Sequence, residues 1–230
     1  MLFRVLVILG VGLFVRVADA EDTVSLKTQK EKVSYGIGLD IGTTLKSQSI
    51  DVDPAALAAG IADVVTGKEP RLTSEEVQKV MNAFQEEMRG KMEAEKAKIA
   101  DKNKAEGMKF LAENKKKKGV VTLPSGLQYK VIKEGDGKMP TKDETVKTNY
   151  RGRLVDGTEF DSSYGRGEPT TFPVGAVIPG WTEALQLMKV GSHWELYVPS
   201  DLAYGPRGAG QAIGPNATLI FEIELLGIEK

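Results

Sequence analysis

The chain has 230 residues, 41% of them apolar and 27% charged, and a formal net charge of −1. That length suits one large or two small globular domains, and no global basic field marks a partner for nucleic acid or an anionic membrane. It has no cysteine and a single histidine, His193, which excludes disulfides, thiolate catalysis and multi-histidine metal sites, and leaves any Ser-His-Asp triad dependent on one residue.

The amino terminus reads as an export signal spanning residues 1–20. Met1-Leu2-Phe3-Arg4 is a short positive start, Val5 to Val15 is almost wholly apolar, and Ala18-Asp19-Ala20 is an A-x-A cleavage pattern. The run is shorter than the ~20 residues that span a bilayer and is interrupted by Arg16. The expectation is therefore a removed signal, with no integral membrane span in the mature chain.

Residues 21–72 carry two helical patterns. Val33, Ile37 and Ile41 recur every four residues, with Gly36, Gly38 and Gly42 between them. Glycines weaken a helix by up to ~1 kcal/mol each, a cost usually offset where a partner helix approaches closely. The second helix opens on Asp53 as N-cap with Pro54 at its first position, lines one face with Leu57, Ile61, Val64 and Val65, and ends at Gly67. A long helix follows over residues 73–118. Thr73 and Glu76 have capping-box spacing, and Val77, Val80, Met81, Phe84, Met88 and Met92 form a stripe. Beyond Met92 the stripe thins among lysines and glutamates, so the second half reads as mostly solvated. At ~1.5 Å per residue the whole is a rod of about 65 Å, with Gly90 and Gly107 as candidate bends. The run Lys115 to Lys118 reads as a solvated helix end favoured by the dipole.

From Leu123 the texture changes to short alternating runs between Gly, Pro and Asp. Leu127-Tyr129-Val131, Val146-Thr148-Tyr150, Trp194-Leu196-Val198 and Leu219-Phe221-Ile223-Leu225 predict antiparallel strands with one buried face. A single short helical segment, Trp181 to Met188, lies among them. Residues 123–230 are thus expected to form an α+β domain, one helix on the apolar face of a sheet.

Four blocks in this region carry a specific resemblance. Tyr150-Arg151-Gly152-Arg153-Leu154-Val155-Asp156-Gly157-Thr158-Glu159-Phe160-Asp161-Ser162-Ser163 is similar to the FKBP signature Y-x-G-x-L-x-D-G-x-x-F-D-S-S. Phe172-Pro173-Val174-Gly175 with Val177-Ile178-Pro179-Gly180-Trp181, then Ala203-Tyr204-Gly205, then Pro215 to Phe221, match its later blocks in order. The resemblance implies a peptidyl-prolyl cis-trans isomerase with a shallow apolar pocket for proline and no metal or cofactor. Carried over by position, Tyr150, Phe160, Asp161, Tyr204 and Phe221 are its catalytic candidates. Arg166, Phe172, Val177, Ile178, Trp181 and Ile213 are its substrate-binding ones. Trp181 would be the floor, Arg166 the ion-pair partner of Asp161, and the Ile178 N–H and Tyr204 hydroxyl the donors to substrate carbonyls. Ala212 and Ala209 depart from larger residues common in the family.

Val33 to Gly42, the capped helix, the long lysine-rich helix and Leu123-Pro124-Ser125-Gly126-Leu127-Gln128-Tyr129 resemble the macrophage infectivity potentiator class of exported bacterial FKBPs. That class implies a periplasmic or outer-membrane-associated homodimer joined through its amino-terminal helices, with proline-containing unfolded or partly folded polypeptides as partners and macrolide ligands as inhibitors. The thin core available to residues 21–90 points the same way, against a monomeric three-helix bundle. Two other functions stand beside the isomerase: a holdase chaperone with secondary isomerase activity, and a domain that only binds peptides. The retained pocket aromatics argue against the last. Gly205 to Gly214 reads as a rim loop, not a phosphate loop, since a strand and not a helix follows it.

Overall fold

In a computed structural model the described residues are 24–229, so the export signal read at residues 1–20 lies outside them. The chain divides into two compact units between Ser74 and Glu75.

The first unit contains α1 (Gln29–Ser47) and α2 (Pro54–Val65). Thr28 caps α1 reciprocally: its hydroxyl accepts from the Glu31 N–H at 3.2 Å, while the Glu31 carboxylate accepts from the Thr28 N–H at 2.7 Å. Asp53 accepts from the N–H groups of Ala55 and Ala56 at 2.8 and 3.0 Å, and Gly67 follows α2 with φ +71°. Asp63, the one buried residue of α2, is paired with Arg71 at 2.9 Å. No residue of α1 is buried, and Ile37 and Val64 are 56% and 71% exposed. The apolar faces of these helices have no cover from their own unit.

The second unit is built on α3 (Ser74–Asn114) and seven antiparallel strands: β1 (Val120–Thr122), β2 (Gln128–Lys133), β3 (Thr145–Leu154), β4 (Glu159–Ser162), β5 (Thr170–Pro173), β6 (His193–Val198) and β7 (Leu219–Glu229). Their order is β1-β2-β6-β7-β3-β4, with β5 also on β3. Two short helices interrupt them, α4 (Ser163–Arg166) and α5 (Pro179–Leu185). Alternation puts Trp194, Leu196 and Val198 of β6 and Leu219, Phe221, Ile223 and Leu225 of β7 on one buried face. There α5 seals them with Trp181, Ala184 and Leu185.

The second half of α3 is mostly exposed, as its composition suggests, yet one face of it packs on the unit. Gly107 and Asn114 are buried, the Phe110 ring lies 5.9 Å from that of Tyr197 on β6, and the Asn114 amide donates to Gln128 at 3.0 Å. Gln128 in turn donates to the Leu111 carbonyl at 2.9 Å. Helical hydrogen bonding runs unbroken through Gly90 and Gly107. What Gly107 supplies is space, because a Cβ there would overlap the Thr218 hydroxyl.

Ile223→Ala is expected to lower the unfolding free energy of the second unit by about 2–5 kcal/mol. Urea denaturation followed by the fluorescence of Trp181 and Trp194 measures it. Met139→Ala, at an exposed position, should change it by less than ~0.5 kcal/mol.

Candidate functional site

Between α5 and the sheet lies a cavity of about 300 Å³ lined by Tyr150, Phe160, Asp161, Phe172, Ala176, Val177, Ile178, Trp181, Tyr204 and Phe221. Each wall comes from a different element. β3 brings Tyr150, β4 brings Phe160 and Asp161, β5 brings Phe172 and β7 brings Phe221. Pro179 occupies the first turn of α5 and the preceding Ile178 is extended (φ −58°, ψ 149°), the conformation that a following proline favours. This turn sets Ala176 to Ile178 along the cavity just before Trp181. The Ile178 N–H has no hydrogen-bond acceptor among the described residues.

Trp181 meets three rings nearly at right angles: Tyr150 at 5.3 Å, Phe172 at 5.6 Å and Phe221 at 5.2 Å between centroids. Phe160 meets Phe221 in the same way at 5.6 Å. Edge-to-face pairs of this kind contribute ~0.5–1.5 kcal/mol each beyond area burial, and they fix each ring plane against its neighbour. Gly152 on β3 makes the arrangement possible, since a Cβ there would lie 2.5 Å from the Phe160 ring and 2.9 Å from that of Phe221.

The cavity's charged edge is Asp161. One carboxylate oxygen accepts from the Tyr150 hydroxyl at 2.5 Å, and the other from Arg166 at 2.5 Å. Arg166 also donates to the Tyr150 oxygen at 2.8 Å and to Thr170 at 3.1 Å. It is presented by α4, a single turn capped by the Ser162 hydroxyl and ended by Gly167 at φ +80°. Burial pushes the Asp161 carboxyl up, but the bonds from Tyr150 and Arg166 together outweigh it, and its pKa is lowered below the ordinary 3.8. Burial and the bond to Asp161 raise the Tyr150 phenol. Asp161 is therefore an ionised acceptor at neutral pH and Tyr150 an un-ionised donor.

Nine of the residues singled out in the sequence thus line one cavity: Tyr150, Phe160, Asp161, Phe172, Val177, Ile178, Trp181, Tyr204 and Phe221. Arg166 stands behind Asp161 and is not among the lining residues. Ile213 is not among them either: it is buried in the core, and its N–H and carbonyl pair with Ala209. A glycine-rich loop has no side-chain period from which its facing could be read. Ala176, which lines the cavity, was not singled out; a small residue one place before Val177 carries no signal of its own. His193 lies on β6 with its Nε2 2.9 Å from Glu222, outside the cavity. The glycine-rich segment forms a short 3-10 turn, Gly205–Arg207, and an Ala209–Ile213 bridge before β7.

A single short helix sealing one face of an antiparallel sheet, with an aromatic cleft between them, is the arrangement of the FKBP class of prolyl isomerases. Family models agree on both halves of the chain. Residues 30–131 match the domain amino terminal to FKBP-type peptidyl-prolyl isomerase, and residues 136–226 match FKBP-type peptidyl-prolyl cis-trans isomerase. The chain belongs to the FKBP-type peptidyl-prolyl cis-trans isomerase family, among the members that carry this amino-terminal domain. It is 51% identical over 223 residues to outer membrane protein MIP of Legionella longbeachae, covering 97% of this chain and 95% of that one. It is 43% identical to the peptidyl-prolyl cis-trans isomerase Mip of Coxiella burnetii over 98% of each chain. The crystal structure of FkpA from Escherichia coli superposes with a TM-score of 0.73 at 38% identity, covering 89% of this chain and 99% of that one. Among the described residues no helix is long and apolar enough to cross a membrane.

Because the folded pKa of Asp161 is depressed, its ionised form stabilises the fold above the unfolded value of ~3.9. That contribution is lost as pH falls through the folded pKa. The carboxyl carbon of Asp161, followed by NMR, is expected to titrate with a midpoint below 3.8. Tyr150→Phe, which removes one of its two donors, should move that midpoint upward.

Proposed function

We propose that this isomerase acts on X-Pro bonds in unfolded or partly folded exported polypeptides, as a homodimer, with the cavity over Trp181 as its catalytic site. The observation that carries this reading is an aromatic cleft with one ionised, doubly donated carboxylate at its edge. X-Pro isomerisation breaks no covalent bond, so the obstacle is amide resonance, a barrier of ~18–20 kcal/mol. In the twisted amide, conjugation is lost and the carbonyl is less polar. A pocket of aromatic rings therefore favours the twisted form over the planar, well-hydrated one.

In this reading Phe172, Val177 and Trp181 hold the proline ring while Phe160 and Phe221 close over it. The Ile178 N–H and the Tyr204 hydroxyl, which has no partner among the described residues, donate to carbonyls of the flanking peptide and hold it in a turn-like shape. Tyr150 and Arg166 fix Asp161 at the edge of the twisting bond. Macrolide FKBP ligands would occupy the same cleft. Ile213, being buried, serves by supporting the rim loop.

In a coupled assay on short X-Pro peptides, Tyr204→Phe is expected to lower kcat/KM by roughly two- to tenfold, the worth of one hydrogen bond. Asp161→Ala should lower it further, and a macrolide ligand should block turnover. Absence of acceleration by the folded wild-type protein would overturn the assignment.

For the rest of the chain we propose a removed signal at residues 1–20, a dimerisation region at 21–72, a connecting helix at 73–118 and the isomerase domain at 123–230. Export is supported by the A-x-A pattern and by the naming of the Legionella relative as an outer membrane protein. Dimerisation is supported by the uncovered face of α1 and α2. A depression of about 480 Å³ there is lined by Gly38, Ile41, Gly42, Leu45, Leu57 and Ile61, among others. Gly38 and Gly42 have no atom within 4 Å of where a Cβ would stand, which leaves room for a second helix. Sedimentation of the mature chain is expected to give a dimer, and Ile41→Glu, which places a charge on that face, a monomer. Holdase activity independent of the cleft is a second role. Asp161→Ala in the full chain should then still suppress aggregation of a denatured client.

A further inference from the structure

We propose that Asn103, on α3, is a positioning residue for the isomerase site: it anchors the rim loop 205–216 and through it the substrate-facing Tyr204. The inference rests on the assignment of Tyr204 to the catalytic cleft. Asn103 lies outside residues 136–226, the stretch matched to the isomerase model.

Asparagine is a poor residue for a helix interior, because its side chain competes for backbone partners. Here the partner is remote in sequence. The Asn103 amide donates to the Pro215 carbonyl at 2.8 Å. The next residue, Asn216, is held in the left-handed region at φ 55°, which asparagine tolerates better than most side chains. Its side-chain amide reaches back to the Ala100 carbonyl on α3 at 3.5 Å, and its N–H donates to the Gly205 carbonyl at 2.8 Å. Gly205 follows Tyr204 directly. Three links therefore run from the helix to the cleft: α3 to Pro215 and Asn216, Asn216 to Gly205, Gly205 to Tyr204. Inside the loop, Ala209 and Ile213 exchange both backbone bonds, at 2.8 and 3.1 Å, so the loop is closed across its middle as well as at its base.

Two glycines let the helix come this close. A Cβ on Gly214 would stand 2.9 Å from the Asn103 amide nitrogen and 3.3 Å from Ile99, and one on Gly107 would overlap the Thr218 hydroxyl. At both places a glycine backbone lies directly against a side chain of the facing element, Asn103 and Ile99 at one and Thr218 at the other.

The test uses the full chain. Asn103→Asp is isosteric but replaces the donor with a carboxylate facing the Pro215 carbonyl; Lys104→Ala, exposed on the same helix, is the control. Amide exchange at Ala209, Ile213 and Asn216 should quicken about tenfold in Asn103→Asp, with Val146 and Ile223 unchanged. KM for an X-Pro peptide should rise roughly two- to tenfold with kcat within about twofold. Lys104→Ala should match wild type in both. Gly107→Ala offers an independent route: it should loosen the same amides, and adding Thr218→Ala, which removes the overlapping hydroxyl, should restore them. If Asn103→Asp lowers only the melting temperature, leaving loop exchange and KM at wild-type values, the residue merely stabilises the helix and the proposal fails. If the wild type shows no turnover at all, the functional assignment of the cleft fails, while the exchange data still decide whether Asn103 holds the loop.

Discussion

Trp181 stands nearly perpendicular to Tyr150, Phe172 and Phe221 at once, and the geometry of the second unit follows from holding that cross together. The three rings come from strands distant in sequence, so their approach requires β3, β5 and β7 to be in register with one another. It also requires α5 to begin where Pro179 starts it. Gly152 is the complementary constraint: the rings of Phe160 and Phe221 fill the volume that any side chain at that position would take. An aromatic floor assembled this way is rigid without being sealed. It leaves a cleft beside rings that are themselves largely buried.

The sheet is used on both faces. One carries α5 and the cleft, and the other carries the end of α3, seated through Phe110, Asn114 and Gln128. The helix that the chain's organisation suggests as a spacer is, over its second half, part of the packing of the isomerase unit. This accounts for Asn114 being fully buried among strands, an unusual place for an amide at a helix end unless it is hydrogen-bonded. The polar seam constrains register: Asn114 donates to Gln128 and Gln128 to Leu111, and a helix slipped by a residue would break both bonds.

Most of the second unit was legible in the chain because alternation and burial coincide there. Trp194, Leu196 and Val198, and Leu219 to Leu225 at every second place, are all buried. Most of the cavity lining was legible because its residues fall in four short blocks. Two things were not. The face of α3 that packs on the rest of the unit is Asn103, Gly107, Phe110 and Asn114, a run with good helical spacing whose members are mostly not apolar, so a search for hydrophobic periodicity passes over it. Polar and glycine contacts are decided by what lies opposite, which no local pattern records. The burial of Ile213 was hidden for a related reason: motif order fixes its place in the chain, while the direction of its side chain depends on a loop closed by the Ala209–Ile213 pair. In the first unit the reciprocal Thr28–Glu31 cap was available in the chain and escaped notice beside the stronger signal of Asp53-Pro54.

The strand order holds one more consequence. β7, the last strand of this domain, lies between β6 and β3 at the centre of the sheet. Until it is in place, β1, β2 and β6 form one fragment and β3, β4 and β5 another, each with an open edge and half of an apolar face. The domain therefore cannot be completed progressively as the polypeptide emerges from a ribosome. It must wait for its final segment and then close in one long-range step, which is intrinsically slow and exposes unpaired edges meanwhile. A domain arranged like this becomes an enzyme only once β7 has joined the two fragments.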